Sequence, residues 1–153
     1  MKYNIREDIQ EIITRIEDED ITFKDKTVLV TGGAGFLGSW VCDVLVRQGA
    51  YCICIDNLAS GRYENIEHLM KEKNFRFINH DISEPIYFGL THHPKGICVG
   101  DIKRMDLVMH MASRASPFEF ERYPISILKS NTLGTMNALG IAKAHNALFF
   151  YTS

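Results

Sequence analysis

Isoleucine recurs at Ile5, Ile9, Ile12, Ile13 and Ile16, with Arg6, Glu7, Asp8, Glu11 and Glu17 in the gaps. That spacing predicts an amphipathic N-terminal helix. Its apolar stripe must be buried, and packing on its own domain is simpler than a dimer contact. The acidic run EDED at 17–20 then reads as a solvated boundary. The chain accordingly divides into residues 1–25, a helix with an acidic linker, and residues 26–153.

From Lys26 the period changes. TVLVT (27–31), YCICI (51–55), FRFIN (75–79), DLVMHMA (106–112) and ALFFYT (147–152) are short β-branched or aromatic runs, hence five expected strands. Between the first two, Leu37, Val41, Val44 and Leu45 share one helical face, and Gly49 stands where a C-terminal cap belongs. A second helix is expected over 65–73. A third should start at Pro124 and turn Leu128, Thr132, Thr135, Met136, Leu139 and Ala142 inward. Residues 87–104, with Gly89, Pro94, Gly96 and Gly100 and no clear period, are read as a loop-rich connection. Strands alternating with helices give an α/β class: a doubly wound, Rossmann-type parallel sheet of expected order 3-2-1-4-5.

Composition changes little. The 153 residues are 46% hydrophobic and 24% charged, with a formal charge of −2, so disorder and a broad nucleic-acid-binding field are both disfavoured. Any phosphate site must be local. No stretch approaches the ~20 apolar residues of a membrane span, and the charged N-terminus lacks the apolar core of a signal peptide. Cys42, Cys52, Cys54 and Cys98 form no C-x-x-C pair and read as buried thiols in a reducing compartment. A cytoplasmic location, without membrane or nucleic-acid partners, is the expectation. His92, His93 and Cys98 offer three candidate metal ligands without a fourth, on an unpatterned stretch, so no metal site is expected.

The local phosphate site is VTGGAGFLGSW, where Gly32, Gly35 and Gly38 are spaced G-x-x-G-x-x-G between an expected strand and helix. The first glycine suits a tight turn, the second a close backbone approach and the third close helix packing. The helix N-terminus offers free N–H groups and partial positive charge to a pyrophosphate. Eighteen residues past Gly38 stands Asp56 in CICIDNLASG, placed to accept both ribose hydroxyls of an adenosine and to repel a 2′-phosphate. NAD is therefore favoured over NADP. Phe36 and Leu37 within the loop, and Asn57, Ser60 and Gly61 after the aspartate, complete the expected cofactor set here.

TGGAGFLG followed by DN resembles the extended short-chain dehydrogenase/reductase superfamily of NAD-dependent nucleotide-sugar epimerases, dehydratases and decarboxylases. HDI (80–82), HMAS (110–113) and NTLGTMNAL (131–139) fit the same pattern. The resemblance implies that Asp81 and Ile82 border the adenine, that Met111, Ala112 and Ser113 line the cofactor cleft, and that Asn131 reaches in from the long helix. HMASRASPFEFERYPISILKSNTLGT is most similar to the UDP-glucuronate decarboxylases, whose loop after HLAS lies between nicotinamide and sugar. Arg114, Ala115, Ser116 and Pro117 are then substrate-side residues, with Arg114 departing from the usual proline. The implied chemistry is C4 oxidation of a UDP-sugar by NAD, decarboxylation and return of the hydride. A nucleotide-sugar 4-epimerase, a 4,6-dehydratase and a stand-alone non-catalytic dinucleotide-binding module are the alternatives.

The superfamily's general base is a Tyr within Y-x-x-x-K. Tyr3, Tyr51, Tyr63, Tyr87 and Tyr123 are followed four residues later by Glu7, Ile55, Glu67, Thr91 and Ile127, and Tyr151 has no residue at that distance. By the resemblance, Thr152 and Ser153 start the Ser/Thr run whose third hydroxyl is catalytic; Ser153 is that residue only if the register moves by one. The expectation is an NAD-binding portion cut before its chemistry and inactive alone. Its fifth strand, an apolar edge, should then drive homodimerisation or other self-association.

Overall fold

A computed structural model of the chain describes residues 5–88, 96–100, 102–114 and 116–152. Helix α1 (Ile5–Asp18) precedes strand β1 (Thr27–Thr31), helix α2 (Phe36–Arg47) and strand β2 (Tyr51–Asp56). Strands β3 (Phe75–Asn79), β4 (Ile86–Phe88), β5 (Ile97–Val99) and β6 (Leu107–His110) follow. Helices α3 (Pro117–Arg122), α4 (Pro124–Lys129) and α5 (Thr135–His145) lead to β7 (Leu148–Tyr151). Five parallel strands form one sheet in the order β3-β2-β1-β6-β7, the expected doubly wound arrangement.

The period of two along each strand sends side chains to two cores. Val28, Val30, Cys52 and Cys54 face α2, meeting Cys42 and Leu45. Leu29, Ile53, Ile55 and Val108 face the other way and meet Ala138, Ile141 and Ala142 of α5. Burying each large aliphatic of these strands contributes about 1.5–3 kcal/mol, so the central strand β1, whose Val28, Leu29 and Val30 are fully buried, anchors the sheet. The expected buried thiols are found at Cys42, Cys52 and Cys54, whereas Cys98 is only partly buried. Contact with Cys52, opposed by contact with Cys54 and reinforced by burial, pushes the Cys42 thiol up, and contact with Cys42 together with burial pushes the Cys54 thiol up. The α1 stripe packs on α2 through Ile9, Ile13 and Val44, with Trp40 alongside, while Ile5 is half exposed.

Four expectations are corrected. The second helix is two short 3₁₀ turns, Tyr63–Asn65 and Glu67–Leu69. The Asn65 amide donates to the Ala34 carbonyl at 2.8 Å, and Asn74 donates to Val46 and Ala50, so side chains pin both ends of a segment too short to wind further. Within 87–104, β4 and β5 pair in parallel; three-residue runs are too brief to show a period. The long helix is interrupted by a π turn, Ser130–Gly134, and presents Ile127, Gly134, Ala138, Ile141 and Ala142 to the sheet. Of the expected inward residues Leu128, Thr132, Met136 and Leu139 are exposed, and Thr135 is only partly buried. Small residues take the inner face because the helix backbone comes close: a Cβ on Gly134 would lie 3.0 Å from Ile82 Cγ2. Finally, Leu37 is 65% exposed in the first turn of α2 instead of packing inward. Gly49 does follow the helix as expected, with φ +82°.

Candidate functional site

A cleft of about 760 Å³ opens along the carboxyl ends of the strands, where doubly wound sheets place their ligands. Its floor is the glycine loop. Gly32 leaves β1 with φ +71°, and a Cβ there would meet the Ala112 backbone and the Met111 carbonyl oxygen at 2.8 Å. Two strand ends therefore close against each other at this glycine. A Cβ on Gly38 would stand 2.2 Å from the Gly32 carbonyl oxygen, so α2 can start this near the loop only without a side chain. Gly35 is the looser position, 3.1 Å from that same oxygen. It is the N-cap of α2, with no side-chain cap bond and no acidic residue in the first turn. No side chain of the helix itself offsets its positive end, which faces the cleft.

Asp56 adjoins the glycine loop. Its Oδ2 accepts from the Ala34 N–H at 3.0 Å and its Oδ1 from the Leu58 N–H at 2.8 Å, which fixes the carboxylate between the loop and the end of β2. Each oxygen keeps a second lone pair for a hydroxyl donor. Gly61 lies over the same group: a Cβ there would come within 2.9 Å of Oδ2. The neighbouring Asn57 accepts from the Ala59 N–H and donates to Asp81 Oδ2 at 2.9 Å, tying the ends of β2 and β3 together. Burial opposes ionisation of Asp81, but bonds from Ser83 and Asn57, with His80 nearby, outweigh it and hold the carboxyl below its ordinary range.

The cleft brings together Gly32, Gly35, Phe36, Leu37, Gly38, Asp56, Asn57, Ser60, Gly61, Asp81, Ile82, Met111, Ala112, Ser113, Arg114 and Asn131. Ser116 and Pro117 open α3 and do not line it, because the chain turns into a helix at the point where the resemblance placed a loop. Ala115 and Ser153 lie outside the described residues, as do His92 and His93. Arg114 is tied down: its guanidinium donates to Glu119 at 2.9 Å and lies 4.5 Å over the Tyr123 ring. Sequence reasoning missed His80, Phe120, Ser126, Ser130 and Tyr151 as lining residues. His80 adjoins the HDI motif, and Tyr151 precedes Thr152 at the strand end, so adjacency was the available signal for those two. Phe120, Ser126 and Ser130 carried none.

The family described as the NAD dependent epimerase/dehydratase family matches residues 28–153. UDP-glucuronic acid decarboxylase 1 of Danio rerio is 40% identical over 128 residues, which are 84% of this chain and 27% of that protein. Among solved structures, epimerase Mth375 of Methanothermobacter thermautotrophicus superposes with TM-score 0.67 at 29% identity, over 86% of this chain and 36% of that one. The UDP-glucose 4-epimerase of Thermus thermophilus, in complex with NAD, gives TM-score 0.55 at 26% identity, over 78% of this chain and 34% of its own. The chain spans about a quarter of the length of the curated relatives it matches.

Proposed function

This chain belongs to the NAD dependent epimerase/dehydratase family, and from that premise we propose that it is the NAD-binding portion of a nucleotide-sugar-modifying enzyme. The likeness to UDP-glucuronic acid decarboxylases supports a UDP-glucuronate decarboxylase type over an epimerase or dehydratase. Residues 26–153 form the NAD-binding unit in this reading, and residues 1–25 are an accessory to it.

One observation supports the reading: an uncapped helix N-terminus and a fixed carboxylate line the same cleft side by side, as a dinucleotide's pyrophosphate and ribose need them. The residues present fit the group. Gly32 and Gly38 admit a pyrophosphate to the backbone, the amides of Phe36, Leu37 and Gly38 orient it, and Asp56 accepts from the ribose. Ile82 and Asp81 bound the adenine end; Met111, Ala112, Ser113 and Asn131 bound the nicotinamide end. Bound NAD supplies a reversible hydride acceptor. The substrate side falls to Arg114 and its neighbours, where a UDP-sugar would enter.

Calorimetric titration of the wild-type chain with NAD and with NADP tests the assignment. Repulsion between the Asp56 carboxylate and a 2′-phosphate should leave NADP about tenfold or more weaker. Equal affinity for the two would remove Asp56 from the ribose site.

A further inference from the structure

Beneath the Met111–Ala112 wall of the cleft lies a histidine that the NAD reading does not use. His110 ends β6 and is 1% exposed. It pairs in register with Thr31 of β1 on one side and Tyr151 of β7 on the other. Its ring Nδ1 is 2.7 Å from Thr31 Oγ1. The same hydroxyl oxygen accepts from the Ala112 N–H at 3.3 Å and shares the Met111 N–H, at 3.2 Å, with the Thr31 backbone carbonyl, at 3.1 Å.

A hydroxyl has two lone pairs and one proton. Both lone pairs of Thr31 face backbone donors, so its proton goes to His110 Nδ1, and the neutral ring carries its own proton on Nε2. Burial lowers the proton affinity of the ring, against a smaller opposing effect of the Ser130 carbonyl. Nε2 itself is buried and has no partner at full hydrogen-bond geometry. The backbone carbonyl of His110 accepts from both the N–H and the Oγ1 of Thr152, at 3.2 and 3.3 Å. The ring stacks on Tyr151 at 5.6 Å between centroids.

We infer that His110, held as the neutral Nε2–H tautomer by Thr31, is a positioning residue that ties the cofactor loop to the strand end at Tyr151 and Thr152. The choice of NAD as the probe ligand rests on the reading above. The geometry works through Thr31. Its oxygen holds the Met111 and Ala112 amides against Gly32, where the two strand ends already touch. An Nδ1–H ring would turn the Thr31 proton toward one of those amides and push the wall away from the loop.

Long-range ¹H–¹⁵N spectra of the full 153-residue chain at pH 7 should show His110 protonated at Nε2 and bare at Nδ1. Thr31→Ser keeps the hydroxyl and should leave the Met111 and Ala112 amide resonances in place, with NAD affinity within about twofold of wild type. Thr31→Val should move the Ala112 amide most and the Met111 amide less, since the latter keeps the Thr31 carbonyl, and weaken NAD about tenfold, as expected for loss of buried hydrogen bonds. An Nδ1–H or doubly protonated ring, or Thr31→Val amides and affinity equal to wild type, would overturn the inference. The tautomer measurement needs no substitution, so it decides even if Thr31→Val does not fold. Failure of the wild-type chain to bind NAD would sink the NAD reading, while the tautomer and amide shifts would still judge His110.

Discussion

The two halves of the sheet are finished to different degrees. On the β1–α2–β2 side every close approach is filled: Gly33, Cys42 and Cys54 interlock, with a Gly33 Cβ only 2.5 Å from Cys54 Sγ, and Asp56 is bonded through both oxygens. From α3 to β7 large apolar groups face outward, among them Phe118 at 87% exposure, Leu148 at 75% and Ile125 at 72%, whereas the comparable groups of α2, Phe36 at 77% and Leu37 at 65%, line the cleft. The first side reads as a rigid cradle whose geometry specifies a ligand. The second keeps its fold with apolar surface to spare, and its substitutions should register in association more than in folding.

Glycine exchange gives the sharpest break. Gly38→Ala forces a Cβ against backbone and should destabilise the chain by about 3 kcal/mol, at the upper end for overpacking, read as a lowered denaturation midpoint. Gly140 of α5 meets nothing within 4 Å, so Gly140→Ala should instead stabilise by about 0.5–1 kcal/mol. Equal effects of the two would erase the contrast between the halves.

Removing Arg114 comes next. Arg114→Ala loses a partly buried pair with Glu119 and the stacking on Tyr123, for an expected cost of about 1 kcal/mol by the same denaturation assay. At the free edge, Leu148→Lys should change folding stability by less than about 0.5 kcal/mol yet reduce self-association in sedimentation velocity. Unchanged sedimentation would mean that the β7 edge is not the contact.

The smallest effect is that of pH. The His110 ring binds its proton less readily folded than unfolded, so the unfolded state takes up more protons as pH falls below about 6.5, and stability declines there. Asp81 is depressed as well, so its contribution is lost only as pH falls further, below about 3.8. Thermal melts from pH 7 to 3 should therefore show two successive losses, and His110→Asn should remove the first.

The cradle was legible in sequence because its constraints are local. A loop closed by three glycines at fixed spacing, and an aspartate at the end of the next strand, are properties of short segments. The inner face of the long helix was not, because Gly134 and Ala138 are chosen by how near the sheet comes, a distance no periodicity records. Nor was the turn of residues 116–117 into α3, where a Ser-Pro step that suits a loop suits a helix start equally. His110 was visible only as part of a motif; its role depends on a lone-pair count at Thr31, 79 residues earlier in the chain.

The central claim is that the glycine loop and Asp56 form one dinucleotide site. Titrating NAD into ¹⁵N-labelled chain and following amide shifts tests it most directly. The largest changes should fall on residues 32–38 and 56–61, with α1 and the β4–β5 pair unmoved. Shifts centred on α1 or the β4–β5 pair, with the glycine loop silent, would contradict it.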